Sequence, residues 1–308
     1  MTPVTEHRPL FVLAGMPRAG TTYLYHVLAA HPGFHVTLRK ELRYFSHHYA
    51  EGADWYARQF SAALPHAVCA DLSPDYFMHA GAAERIARYP GQVRVALLIR
   101  DPAQWAVSLH RHLRSFEPDV PAFPDFLRQC RYPDFQWPSR PRLGADIALT
   151  GGFVSRRIEE FRQALGGRLL LYDFAAFERD PLGTLRAIES FTGIRQPLSA
   201  TALPPDRINA RSGSERRRLT YWLSREPVSN LLGRLMPAGL ALQLRRQWES
   251  KASPPSARDD AADLEFAQES LAADRERIVA LFRDSPAMLG DGTPLTSPPS
   301  PMPDTSAV

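Results

Sequence analysis

Gly15-Met16-Pro17-Arg18-Ala19-Gly20-Thr21-Thr22 follows the apolar run Leu10–Ala14 and leads into a helical pattern. Its glycine spacing is that of a Walker A loop, in which the backbone turns tightly and aims its N–H groups inward. The positive end of the following helix adds to that field, so an anion is well held there. Arg18, Ala19, Gly20, Thr21 and Thr22 are the candidate contacts. A nucleoside triphosphatase keeps a lysine where this chain has Thr21, and here the cation inside the loop is Arg18. A guanidinium fork suits a tetrahedral oxyanion such as phosphate or sulfate. The apolar run Val93–Ile99 ends in Arg100-Asp101-Pro102, with the arginine first and no clear Walker B carboxylate. A site for magnesium and a triphosphate is therefore disfavoured. An ordinary turn is the competing explanation, opposed by the placement of the loop between strand and helix.

Arg100 falls at the carboxyl end of a strand, and Ser108 lies about two turns into the next helix. Both can face one ligand group in the crevice beyond the strand ends. Alternatively, Arg100 pairs locally with Asp101 and Ser108 is a helix-surface residue.

Together these two motifs resemble those of the sulfotransferases that use 3′-phosphoadenosine 5′-phosphosulfate (PAPS). The resemblance covers about residues 9–220. It implies that the loop takes the 5′-phosphosulfate, that Arg100 and Ser108 bind the 3′-phosphate, and that no metal is required. Many members carry a second arginine, supporting the loop, where this chain has Trp105. The segment 39–60 is similar to the K-E-P-H-F-F…Y…W-Y segment of heparan-sulfate-type carbohydrate sulfotransferases and their bacterial relatives. It retains Lys40, Glu41, Phe45, Tyr49, Trp55 and Tyr56, but has Leu42 for proline and Arg43 for histidine. The resemblance makes Glu41 the general base and has Lys40, with Arg18, stabilise the transferring group. Tyr44, His47 and His48 are acceptor-side candidates, and either histidine competes for the base role.

Residues 70–77, ADLSPDYF, resemble a segment lining the acceptor side in that family, which adds Asp71, Ser73 and Tyr76. Leu72 stands where a lysine often meets an acidic or sulfated sugar. Residues 208–218 fall where members close a basic loop over the nucleotide, making Arg211 and Gly213 further nucleotide candidates. The implied reaction moves a sulfuryl group from PAPS to an acceptor hydroxyl, or an amine, releasing adenosine 3′,5′-bisphosphate. The acceptor is a small molecule, a lipid-linked group or a carbohydrate. Rival readings are an atypical P-loop kinase using Mg-ATP and a non-catalytic nucleotide-binding module.

These residues need a scaffold. Four apolar runs, 10–14, 67–70, 93–99 and 168–174, read as buried strands. Helical patterns at about 21–31, 53–62, 80–89, 102–116, 147–165 and 181–192 separate them, and a last helix spans about 262–283. Alternation of this kind predicts an α/β fold, a P-loop NTPase-like parallel sheet with helices on both faces. We expect a single domain over 1–290, with a nucleotide-binding core at about 9–195 and a basic, irregular acceptor or closing region at about 195–290. The proline-rich stretch 117–146 interrupts the rhythm, as a lid, a pocket wall or a surface excursion. The Pro/Ser-rich tail 291–308 is expected to be disordered.

The chain has 308 residues and a net charge of +4, a mild excess that suits an anionic ligand. Its acidic and basic residues are interspersed, which argues against nucleic acid. Lys40 and Lys251 are its only lysines. Cys69 and Cys130 lack metal-ligand spacing. With no apolar run of membrane-span length and no leader pattern, the sequence reads as cytoplasmic.

Overall fold

The computed structural model describes residues 8–114, 120–129, 153–199, 203, 258–283 and 288–289. Six strands form one sheet: β1 (Leu10–Gly15), β2 (Phe34–Val36), β3 (Val68–Asp71), β4 (Val93–Ile99), β5 (Leu169–Asp173) and β6 (Met288–Leu289). The spatial order is β2-β3-β1-β4-β5-β6, and every pairing is parallel. β1 is buried at all its positions, as a central strand covered on both faces must be. The short edge strands β2 and β6 escape a reading based on apolar runs because they are too brief to carry a pattern.

The connecting helices are α1 (Thr21–Ala29), α2 (Ala53–Arg58), α3 (Ala82–Ala87), α4 (Pro102–Arg114), α5 (Phe123–Gln129) and α6 (Phe153–Leu165). They continue with α7 (Phe174–Arg179), α8 (Pro181–Thr192), α9 (Arg258–Ser270) and α10 (Ala272–Arg283). Local chemistry sets several boundaries. The Asp173 carboxylate accepts from the Ala175 and Ala176 N–H groups and so starts a short α7 directly after β5. Asp180 caps α8 with Pro181 in its first turn, and Gly193, at φ 77°, ends it. The helix expected over 262–283 is two helices, divided at Leu271, and α5 lies inside the proline-rich stretch 117–146.

The last helix is tied to the start of α6 by one carboxylate. Asp274 is 7% exposed; its Oδ2 accepts from the Val154 N–H at 3.0 Å and its Oδ1 from the Ser155 N–H at 3.1 Å. The Ser155 hydroxyl donates to the same Oδ1. These are first-turn donors of α6 with no partner inside their own helix. Asp274→Ala should lower stability by roughly 2–3 kcal/mol, read from the urea midpoint, because it strands buried donors. Asp274→Asn, which keeps an acceptor oxygen, should cost clearly less.

Candidate active site

The sequence motifs follow the carboxyl ends of β1, β2, β3 and β4, the edge where open parallel sheets bind ligands. Gly20 takes φ 78° at the start of α1, and a Cβ there would lie 2.5 Å from the Phe177 ring, so no side chain fits. Arg18 is also left-handed, at φ 65°, a conformation that costs a non-glycine residue on the order of 1–3 kcal/mol. Two neighbours hold this loop in shape. Arg100 Nη1 donates to the Arg18 carbonyl at 3.1 Å, and the Trp105 indole N–H donates to the Pro17 carbonyl at 2.9 Å. Trp105 is 1% exposed. It thus braces the loop where the sequence lacks the second arginine.

Arg100 stacks over the Phe174 ring at 5.0 Å, and its buried Nε has no hydrogen-bond partner among the described residues. Burial pulls its pKa down, Glu178 pulls it up, and the nearby Arg111 pushes it down again. That coupling places Arg111 in the same field, a residue the sequence reading missed. The signal was available: Trp105, Ser108 and Arg111 are spaced by three and share one face of α4. Ser108 is half-buried on that face. A cationic corner with a buried unsatisfied donor fits an anionic group such as a phosphate.

On the other side of the loop, Lys40 Nζ donates to Thr22 Oγ1 at 2.5 Å and lies 4.0 Å from Glu41 Oε1. Glu41 Oε2 accepts from Arg43 Nη2 at 2.8 Å. Glu41 and Arg43 are both left-handed, at φ 66° and 54°, on either side of Leu42, which is buried. Further bonds fix this backbone: the Arg43 N–H donates to Ser73 Oγ, and the Arg43 carbonyl accepts from the His47 and His48 N–H groups. Burial opposes the charge on Arg43, but Glu41 and Asp75 outweigh it and raise its pKa.

Glu41 and Arg43 open onto a cleft of about 170 Å³, whose other polar walls are His47, Asp75, His79 and His112. Pro17, Pro74, Met78, Leu109 and Leu113 form the apolar part of the lining. His47 is therefore at the cleft, with Nε2 3.6 Å from Asp75 Oδ2. His48 instead stacks on Trp55 at 5.4 Å. Sequence reading missed Asp75, His79 and His112.

Tyr44, Asp71, Ser73 and Tyr76, expected at the acceptor wall, are buried in packing contacts. Tyr44 stacks on Tyr56 at 4.4 Å. Asp71 accepts from the hydroxyls of Tyr56 at 2.8 Å, Tyr76 at 2.7 Å and Ser73 at 2.6 Å. Ser73 in turn positions Arg43, so this cluster supports the site from behind. Arg211 and Gly213, together with the tail 291–308, lie outside the described residues.

Burial raises the Asp71 pKa from 3.8 to about 6, against the pull of its three hydroxyl donors. Between these values the folded chain holds a proton that the unfolded chain has lost. The contribution of Asp71 to stability is therefore full below pH 3.8 and falls as pH rises through about 6. The size of that loss is roughly 3 kcal/mol at most. Urea unfolding at pH 5 and pH 7.5 should show a smaller drop in Asp71→Asn than in the wild type.

Among the described residues, no group of three or more His, Cys, Asp or Glu is arranged to hold a metal ion, and no helix is long and apolar enough to cross a membrane. A sulfotransferase family model matches residues 9–197. The chain belongs to the sulfotransferase family. Heparan sulfate glucosamine 3-O-sulfotransferase 3B1 of Mus musculus is 24% identical over 199 residues, covering 63% of this chain and 48% of that protein. The membrane-associated sulfotransferase kil1 of Dictyostelium discoideum is 30% identical over 103 residues, covering 32% and 22% of the two chains. This sulfotransferase-family chain thus spans about half the length, or less, of these curated relatives. Among solved structures, a sulfotransferase from Alicyclobacillus acidocaldarius aligns with a TM-score of 0.48 and 21% identity, covering 74% of this chain and 97% of that one.

Proposed function

We propose that the protein transfers a sulfuryl group from PAPS to an acceptor hydroxyl, releasing adenosine 3′,5′-bisphosphate. The observation that carries this reading is the Lys40 ammonium bonded to Thr22 of the anion loop, with Glu41 4.0 Å away at the mouth of a cleft. It brings a cation, a base and an acceptor space to one point.

The loop N–H groups and Arg18 bind the 5′-phosphosulfate of the donor, while Arg100, Ser108 and Arg111 bind its 3′-phosphate. Glu41 takes the proton of the acceptor hydroxyl as that oxygen attacks sulfur. The bond from sulfur to the bridging phosphate oxygen breaks, and the electron pair leaves with the bisphosphate. Lys40 and Arg18 offset the charge growing on the leaving and equatorial oxygens; positioning and electrostatics of this kind dominate related phosphoryl transfers. Glu41 is held on both oxygens, by Lys40 and Arg43, so its position is fixed before substrate arrives.

The test is to incubate the protein with ³⁵S-labelled PAPS and a small-molecule cell extract in the presence of EDTA. Labelled organic sulfate should appear. Label that stays in PAPS or inorganic sulfate would count against the activity.

A further inference from the structure

Resting on that reading, we infer that the acceptor is an uncharged alcohol carried on an apolar body, not an acidic sugar. Two independent features of the cleft lead there. The first is how its charges are spent. The Arg43 guanidinium is engaged by Glu41 at 2.8 Å and lies 4.0 Å from Asp75 Oδ2. Asp75 Oδ2 also accepts from the Ser46 hydroxyl at 2.6 Å. An anionic acceptor would have to displace one of these carboxylates from Arg43 while sitting beside both. Both cations beside the cleft, Arg43 and Lys40, already face the carboxylates of Glu41 and Asp75. A carboxylate or a sulfate on the acceptor would meet Glu41 and Asp75 at close range, where like charge costs affinity.

The second feature is the lining away from Glu41. Leu109 and Leu113 come from successive turns of α4, and Met78, Pro17 and Pro74 face the same space. Leu72, where a basic residue would meet an anionic sugar, is buried and is not part of the cleft lining. An apolar wall beside a single base favours an alcohol that buries carbon and presents one hydroxyl.

The test compares straight-chain alcohols from 1-butanol to 1-octanol with a glucuronic acid–glucosamine tetrasaccharide, each with PAPS, following bisphosphate release. kcat/KM should rise about threefold to fourfold per methylene until the cleft is filled, with the tetrasaccharide at the rate seen with water alone. Met78→Asp should reduce octanol kcat/KM at least tenfold and leave the Kd for the bisphosphate unchanged. Alcohols at the water rate, or a better rate with the tetrasaccharide, would overturn the inference. Bisphosphate binding, measured alongside, separates the two layers: its loss would remove the donor reading and the inference with it. Its presence without alcohol turnover would remove the inference alone.

Discussion

Glu41→Gln should lower turnover by about 10²–10⁴-fold, the usual worth of a positioned base, with bisphosphate affinity within about twofold of wild type. The substitution keeps the length and shape of the side chain and removes the charge that takes the proton. Nucleotide affinity should survive because Glu41 contacts Lys40 and Arg43, whereas the loop is braced from the other side by Arg100 and Trp105. The assay is bisphosphate release at saturating PAPS and acceptor, with calorimetric Kd as the control. Near-normal turnover in this variant would mean that another group, with His47 the first candidate, takes the proton. A parallel collapse of nucleotide binding would assign Glu41 a structural role.

Arg100→Ala should weaken adenosine 3′,5′-bisphosphate by roughly 2–3 kcal/mol, the scale of hydrogen bonds to a charged group. That is about a 30- to 150-fold rise in Kd. Part of this loss is indirect, because Arg100 also donates to the Arg18 carbonyl and so braces the loop. Adenosine 5′-phosphosulfate, which lacks the 3′-phosphate, separates the two contributions. Its affinity should fall far less, and the difference is the 3′-phosphate contact. Equal losses for both ligands would leave Arg100 as a loop brace alone.

How far the sequence revealed this site depends on the kind of signal each residue carries. β1, the loop and α1 were legible because an apolar run, two glycines at fixed spacing and a helical pattern each report local structure. Arg100 was legible for the same reason, as the residue next after a buried strand. Asp75 and His79 were not, since they reach the cleft through the turn after β3, whose direction no periodicity encodes. Asp71 and Tyr76 carried a signal of another kind. A resemblance set them on the acceptor side and is silent on burial, and here their hydroxyl and carboxylate satisfy each other and both are buried. Trp105 shows the reverse case, where an apparent loss from a motif is compensated by an indole N–H reaching the same loop. The α9–α10 break passed unseen because an amphipathic pattern can continue across a one-residue interruption.

The measurement that tests the central claim most directly is calorimetric binding of adenosine 3′,5′-bisphosphate to the wild-type protein, set against Mg-ATP under the same conditions. The account predicts clear saturable binding of the bisphosphate and little or none of Mg-ATP, because the loop lacks the triphosphate lysine and Arg100 awaits a separate phosphate. Binding of Mg-ATP alone would contradict it, returning Arg100 and Ser108 to structural roles and making a kinase the leading reading.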